Sequence, residues 1–405
     1  MSKQIYILFT FFLVLFALYP FDAQFLNKTA VNYSVYIYLL AAICLSIPHT
    51  FPERKGFVLP VQLIIISIVI SVLMANNSWD QSFTDSFLEI IPYLTWICFF
   101  YLLHAKVPVR IIERIIIFYG LLYVILYFYQ LANSPTVLFG KSLWGDEFTV
   151  DRGITRIIFP GAGIFVLSVF LSINKLTTER KGRLFWLSYS ILGVIIPFLQ
   201  VTRQFILGIG IIYLLHFLKG KSIVKKILVT ACLIFSFFYI ASLDLVILKG
   251  LSEAAEDDLK QGGEYIRVLA AKYFLLDFSP DTLSRILGNG APYWGISPYG
   301  IFIENLAEAQ GYFLSDVGII GMYAMFGILP VIGFIMIWIK SIRYNLPENK
   351  YYLKYYLWYL LFTSFTWFTV YHYHYIISTV LVLYLYQNEL YPTTVQQANK
   401  NLIQN

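Results

Sequence analysis

The sequence has 405 residues, of which 59% are hydrophobic and 13% are charged, with a mean hydropathy of +0.70. A soluble globular domain carries about 25% charged residues, so this composition excludes an ordinary soluble domain and indicates a chain that lies largely in lipid. The net charge of +6 does not indicate nucleic-acid binding, because the basic residues occupy short loops rather than one stripe. The three cysteines lie in apolar runs without metal-ligand spacing, so we expect neither a metal site nor a disulfide.

Long apolar runs follow one another along most of the chain. A membrane-spanning helix needs about 20 mostly apolar residues, and about twelve runs meet this requirement. The first run does not resemble a cleaved signal peptide, because bulky residues and no small-residue cleavage site follow it. We therefore predict an all-α polytopic membrane protein that forms a single integral domain over residues 1–405. The predicted spans are 5–21, 32–48, 57–75, 86–104, 109–131, 156–174, 184–201, 204–219, 227–247, 316–339, 354–370 and 375–388.

The basic residues of the short turns predict the orientation of these spans, because Lys and Arg are enriched on the cytoplasmic side. Every second turn carries a basic cluster, so we place these turns, both termini and the tail at 390–405 in the cytoplasm. The alternation holds across all the predicted spans. The clusters are Arg54 and Lys55, Lys106 and Arg110, Lys175 to Arg183, Lys219 to Lys226, and Lys340 to Lys354.

The largest predicted external segment is the loop at 248–315, between the ninth and tenth predicted spans. Within it we predict a helix at 264–276, a turn at 279–282, an irregular segment at 288–300 and a second helix at 304–314. Long loops in compact proteins are usually functional or disordered, and the aromatic residues of this one favour an ordered structure. We expect it to close over a cavity between the membrane helices, where the chemistry takes place.

Arginines on the predicted outer face are the first candidates for binding. Arg203 lies between two apolar runs, and a charge at that depth usually faces a cavity or a partner. A guanidinium group suits phosphate oxygens, so we predict that Arg203, Arg267, Arg152 and Arg156 bind a diphosphate. Arg285 is a further external arginine. The alternative for Arg203 is that it caps two helix ends and reaches the lipid headgroups.

Carboxylates near the predicted outer rim are the candidates for acid–base chemistry. Glu304 and Glu308 are four residues apart and therefore share a helix face, and Asp316 lies nearby in the sequence. One of them could take a proton from a sugar hydroxyl; the alternative is an ordinary solvated face. His372 and His374 are two residues apart, a spacing that does not place both imidazoles on one face, so we predict no metal site there, although either could line the cavity.

Glycines in the same region allow the backbone to approach other groups closely. Gly288 and Gly290 can adopt positive φ angles, and they are candidate loop contacts to a ligand. Gly318 and Gly321 permit close packing between helices in lipid.

The order of these features resembles that of the bacterial O-antigen polymerase and ligase superfamily. Members have many spans, an arginine between two spans, and a large external loop. That loop has an arginine before an apolar aromatic helix, then a Gly-x-Gly, and a Gly-x-x-Gly entering the next span. Many relatives also carry a histidine ten residues before the last pair, where this sequence has Glu308, so the proton-accepting role would fall to Glu308 or Glu304. The matching residues are Arg203 in VTRQ, Arg267 in EYIRVLAAKYF, Gly288 and Gly290, Gly318 and Gly321, and upstream Arg152 with Gly163.

The resemblance implies a GT-C-like membrane glycosyltransferase that uses no metal or cofactor. Its reaction would join polyprenyl-diphosphate-linked oligosaccharide units into a surface polysaccharide (O-antigen, capsule or exopolysaccharide) on the outer face of the cytoplasmic membrane. The implied partners are these lipid-linked substrates, membrane lipid, a chain-length regulator and a flippase, without nucleic acid. Two alternatives stay open. One is a ligase that transfers glycan to an acceptor, which Glu308 in place of histidine disfavours. The other is a flippase, which the absence of internal repeats disfavours.

Overall fold

The computed structural model of the protein describes residues 2–47, 55–142, 147–148, 150–151, 154–200, 202–219 and 265–391. The predicted span 227–247, the first part of the external loop at 248–264, Arg152 and the end of the predicted tail, 392–405, lie outside the described residues.

The described chain is almost entirely helical. One short antiparallel pair of strands, β1 (Val150–Asp151) and β2 (Ile154–Thr155), precedes α7. The helices are α1 (Lys3–Ala17), α2 (Lys28–Ser46), α3 (Val58–Trp79), α4 (Phe83–Ile90), α5 (Cys98–Ala105), α6 (Val109–Ala132), α7 (Ala162–Thr178), α8 (Arg183–Leu199), α9 (Arg203–Leu218), α10 (Ile266–Leu276), α11 (Thr282–Leu287), α12 (Pro298–Gln310), α13 (Ile319–Phe326), α14 (Ile328–Arg343), α15 (Tyr351–Thr363) and α16 (Tyr373–Leu390).

Several of these helices could cross a membrane. Among the described residues, four helical segments are long and apolar enough, namely Lys3–Asp22, α2, α3 and α6, and a fifth is added if α4 and the bent segment after it form one span. α3 exposes Ile66, Val69 and Leu73 along one side, as expected of a surface that faces lipid rather than water. The predicted class of all-α membrane protein is therefore supported, although the number of spans found among the described residues is smaller than the predicted twelve.

Two helices form the centre of the bundle. All residues of α7 from Gly163 to Asn174 are buried, as are those of α16 from Tyr375 to Gln387. α7 packs against α6, α8, α15 and α16. A Cβ atom at Gly163 would lie 2.7 Å from the carbonyl oxygen of His374, so glycine at this position permits the close approach of α7 and α16.

The predicted spans 86–104 and 316–339 are each interrupted. In the predicted span 86–104, α4 ends at Ile90, and Phe83–Ile90 is bent by 50° relative to Tyr93–Ala105. Pro92 lies at the bend, where its missing N–H and its ring disfavour a continuous helix. In the predicted span 316–339, Gly327 separates α13 from α14 with a φ of +73°, a conformation that glycine adopts without strain.

The described part of the external loop is ordered and largely helical. α10 confirms the helix predicted at 264–276. α12 begins at Pro298 rather than at Glu304, because the Ser297 side chain accepts a hydrogen bond from the Gly300 N–H and proline suits a first helical position. α12 ends before Gly311, which has a φ of +68°. The irregular segment is therefore shorter than predicted.

A network of charged residues joins three elements at the end of the bundle that the basic clusters predict to be cytoplasmic. Glu113 of α6 is paired with Lys350, and its Oε2 lies 3.9 Å from the Nζ of Lys175 at the end of α7. The hydroxyl of Tyr352 donates a hydrogen bond of 2.9 Å to Glu113. The side chains of Glu113 and Lys350 are each only 12% exposed, so this carboxylate neutralises cations that are largely removed from water.

We expect Glu113→Ala to lower the free energy of unfolding by about 3 kcal/mol, because removing one partner leaves the buried cations uncompensated. Glu179→Ala is the matched control, since Glu179 pairs with the same Lys175 but is 44% exposed; its loss should cost about 0.5 kcal/mol. Thermal unfolding of the detergent-solubilised variants measures both effects. Equal destabilisation by the two substitutions would contradict a special role for Glu113.

Candidate functional site

A cavity of about 650 Å³ lies at the opposite end of the bundle from the Glu113 network. Its wall comes from the turn after α1, the start of α2, the end of α4, and the turn before α16, together with residues 292–294 and 314–315 of the external loop. The loop therefore contributes to a cavity between membrane helices. Tyrosines dominate the lining: Tyr19, Tyr36, Tyr93, Tyr293, Tyr371 and Tyr373.

The side chain of Gln81 fixes the loop against the junction of α3 and α4. Its amide nitrogen donates to the carbonyl oxygen of Ala291 at 3.0 Å and to the hydroxyl of Ser86 at 3.1 Å. Its amide oxygen accepts from the backbone N–H of Tyr293 at 2.9 Å and from the Ser297 hydroxyl at 2.7 Å. The side chain is fully buried, and its hydrogen-bonding capacity is used completely. Tyr293 is thereby held at the cavity wall.

Aromatic stacking adds to this attachment. The ring of Trp79, the last residue of α3, stacks on Tyr299 at a centroid distance of 5.0 Å and on Phe278 at 5.3 Å. The indole N–H donates to the Oδ1 of Asn289 at 3.2 Å. Asn289 is fully buried, and its Nδ2 donates to Ser279 Oγ at 2.9 Å. These contacts tie three separate parts of the loop to one helix end.

The turn after α1 has an unusual backbone. Tyr19, Phe21 and Asp22 all have positive φ angles, of 48°, 57° and 49°. Such conformations are strained for residues other than glycine and cluster at functional sites. The turn is held by the segment after α6, because the Gly140 N–H donates to the Asp22 carbonyl at 2.9 Å and Gln24 donates to the Gly140 carbonyl at 2.6 Å. The same contacts position Lys141, which follows Gly140.

The cavity combines carboxylates and ammonium groups that do not neutralise one another. Glu89 and Asp22 line it, as do Lys28 and Lys141. Among the described residues, no ion pair within 4.0 Å joins either carboxylate to either lysine. Lys28 and Lys141 are both exposed. The two ammonium groups are therefore available to a bound molecule that carries negative charge.

His372 is the histidine that lines the cavity. It is packed against Phe368 and His374, with centroid distances of 4.4 and 4.2 Å. Burial lowers the pKa of His372 to about 3, so its imidazole is neutral at neutral pH. Its Nδ1 accepts a hydrogen bond of 3.4 Å from the His374 backbone N–H, which places the proton of the neutral ring on Nε2. His372 is thus a neutral lining residue that carries an N–H group on Nε2.

Of the predicted arginines, Arg156, Arg203 and Arg267 are described, and these three lie around this end of the bundle without lining the cavity. Arg203 is the first residue of α9, which packs against α7, α8 and α15. Arg267 lies on α10, which packs against α13, and its Nε is 3.3 Å from the Oδ2 of Asp316. Arg156 precedes Pro160, which lines the cavity. Arg152 lies outside the described residues, and the diphosphate-binding role of these arginines stays a prediction.

The predicted carboxylates lie mainly on the loop. Glu304 is half-buried and Glu308 is exposed on α12, and neither lines the cavity. Asp316 follows Ser315, a lining residue, and its ion pair with Arg267 joins α10 to the wall. Their catalytic roles stay predictions.

The predicted glycine contacts are directed at protein rather than at the cavity. A Cβ atom at Gly288 would lie 2.4 Å from the Met325 carbonyl oxygen, and one at Gly290 would lie 2.6 Å from that of Ser71. The Gly290 N–H donates to the Met325 carbonyl at 2.8 Å. Both residues therefore serve the close approach of the loop to α3 and α13.

Sequence reasoning missed Glu89, Lys28 and Lys141. Glu89 carried a usable signal, because it is an acid inside an otherwise apolar predicted span, and ionisable residues inside spans are usually functional. The two lysines carried none, since isolated basic residues in short turns are common. No protein-family model and no curated protein matches this chain.

We expect Gln81→Leu to loosen the external loop, because the Ser86 hydroxyl, the Ala291 carbonyl and the Tyr293 N–H would lose their partner, at about 1–3 kcal/mol for each unsatisfied group. Hydrogen–deuterium exchange of residues 291–297 should accelerate. Gln310→Leu is the control, since Gln310 is exposed at the end of α12 and should leave that exchange unchanged. Slow exchange in Gln81→Leu would show that the Trp79 stack alone holds the loop.

Proposed function

We propose that the protein is a polymerase that joins lipid-linked oligosaccharide units through a glycosyl transfer in this cavity. The observation that carries the proposal is the cavity itself: it opens at one end of an apolar helix bundle and has both polar and apolar walls. A volume of about 650 Å³ falls within the range of small-molecule sites. The predicted twelve spans, the GT-C-like fold and the location on the outer face of the cytoplasmic membrane belong to this proposal.

The lining suits a sugar that is carried on a lipid. Tyrosine rings offer flat apolar faces together with hydroxyl groups, and Asn32 and Ser315 add further polar groups. Trp294 lines the cavity and is 47% exposed, so it can meet a substrate at the rim. Apolar side chains of Leu26, Val31 and Leu88 share the wall, as a polyprenyl chain requires.

The lysines at the cavity suit a diphosphate leaving group. Transfer from a polyprenyl diphosphate develops negative charge on the diphosphate, which fixed cations stabilise. Lys28 and Lys141 are cations that line the cavity, and we assign the diphosphate to them. Lys28 is also the first residue of α2, so the positive end of the helix dipole adds to its charge. Arg203, at the start of α9, does not line the cavity and is the alternative diphosphate ligand that the variants below compare with the two lysines.

The proposal predicts the phenotype of a deletion strain. Without the protein, the cell surface should carry single repeat units instead of polymer, because units are still exported but no longer joined. Gel analysis of the surface glycans measures this distribution. Units retained inside the cell would indicate a flippase, and unchanged polymer would overturn the proposal.

The two lysines are tested by Lys28→Ala, Lys141→Ala and the double variant in the complemented deletion strain. A hydrogen bond to a charged group contributes about 1.5–3 kcal/mol, so we expect polymer formation to slow by at least about tenfold for each lysine. Lys272→Ala is the control, because Lys272 is exposed on α10 and does not line the cavity. Unchanged polymer in the double variant, together with its loss in Arg203→Ala, would move the diphosphate site to Arg203.

A further inference from the structure

Glu89 occupies a position that is unfavourable for a carboxylate. It lies in the last turn of α4, next to the final residue Ile90. The C-terminal end of a helix carries partial negative charge, which disfavours an anion there. The bend at Pro92 follows directly and brings this end of α4 to the cavity wall.

The surroundings of Glu89 do not compensate for this cost. The side chain is half-buried, and among the described residues no hydrogen bond or ion pair of its carboxylate is found. Four tyrosines line the same cavity, namely Tyr19, Tyr36, Tyr93 and Tyr373. A partly buried carboxylate without a cation is costly, and such groups concentrate at functional sites.

The other carboxylates of this region are in different situations. Asp316 is engaged with Arg267 at 3.3 Å. Glu308 is exposed, and neither Glu304 nor Glu308 lines the cavity. Asp22 also lines the cavity, but it lies in the turn between α1 and α2 rather than on an α-helix. Glu89 is the lining carboxylate that comes from a membrane helix.

We propose that Glu89 is the general base of the transfer, an inference that rests on the proposed polymerase function. The hydroxyl oxygen of the acceptor sugar attacks the anomeric carbon of the donor, and the bond between that carbon and the diphosphate oxygen breaks. The diphosphate leaves with the electron pair, and the hydroxyl proton passes to the Glu89 carboxylate. Water then takes the proton from Glu89 before the next turnover.

The tyrosines give this assignment its geometry. They line the cavity from the turn after α1, from α2, from the segment after α4 and from α16, so they share this space with Glu89. They can orient the acceptor sugar by hydrogen bonds while Glu89 approaches one hydroxyl. A base must lie within hydrogen-bonding reach of the proton that it removes, and a carboxylate on the wall of the cavity meets that requirement for a sugar bound within it.

The test compares Glu89→Gln with Glu308→Gln in the deletion strain and in membranes that contain the lipid-linked repeat units of the host. Glutamine keeps the size of the side chain but cannot accept the proton. General-base catalysis contributes about 100- to 10,000-fold, so turnover should fall by at least about 100-fold in Glu89→Gln, with KM changed by no more than about threefold. Glu308→Gln tests the other candidate base, and Asp277→Asn is the control that should retain the wild-type rate, because Asp277 is exposed and does not line the cavity.

Two results would overturn the assignment: wild-type turnover in Glu89→Gln, or a loss confined to Glu308→Gln. Should Glu89→Gln fail to accumulate in the membrane, Glu89→Asp and Glu89→Asn decide the question as a pair of equal size. Polymer from the aspartate variant alone supports the base, and equal polymer from both overturns it. Normal polymer in the deletion strain itself would instead refute the polymerase function, so the two failures are distinguishable.

Discussion

The buried amide of Gln81 is the interaction on which the cavity depends. It joins the junction of α3 and α4 to Ala291, Tyr293 and Ser297 of the external loop. A glutamine in the interior is stable only when all its hydrogen-bonding groups are used, and here its partners come from both sides of the contact. The loop therefore cannot leave α3 without exposing several unsatisfied groups at once. Gln81 bonds both to Tyr293 of the loop and to Ser86 of α4, the helix that carries Glu89. It therefore also fixes the position of the loop relative to α4.

The bend after α4 has a related consequence. In a continuous helix through the predicted span 86–104, Glu89 would lie within the helix rather than in its last turn at the cavity. Pro92 interrupts the helix, so that α4 ends at the cavity and the chain continues through Tyr93, another lining residue, into α5. The interruption of an apolar span and the placement of a carboxylate are thus one feature of the structure.

Sequence patterns predicted the class of protein and the region of the site, but not the residues that line it. Apolar length and composition are local properties, so helices such as α3, α6 and α10 could be located from the sequence alone. The predicted start of α12 is wrong because the glycines and prolines around Ser297 disfavour a helix by composition, whereas Ser297 and Pro298 begin one. The lining of the cavity depends on distant contacts, such as that of Gln24 with Gly140, which no local pattern encodes. For the same reason the arginines were assigned by charge and depth, although contact with a cavity is decided by packing.

The two ends of the bundle treat charge in opposite ways, and this contrast bears on function. At the Glu113 end, a largely buried carboxylate is matched by Lys350, Lys175 and the Tyr352 hydroxyl. The protein therefore provides cations and a hydrogen-bond donor for a carboxylate near the end of its helices. At the cavity, Glu89 lies at an unfavourable helix end among tyrosines, and the neighbouring turn holds Tyr19 and Asp22 at positive φ. Backbone strain and a partly buried acid without a cation both reduce stability. The Glu113 network shows that this protein can pair an acid with cations, so Glu89, which has no cation partner among the described residues, does not serve stability. The strained turn and Glu89 lie at the same cavity. This is expected of a binding site whose polar groups find their partners only when a substrate is bound.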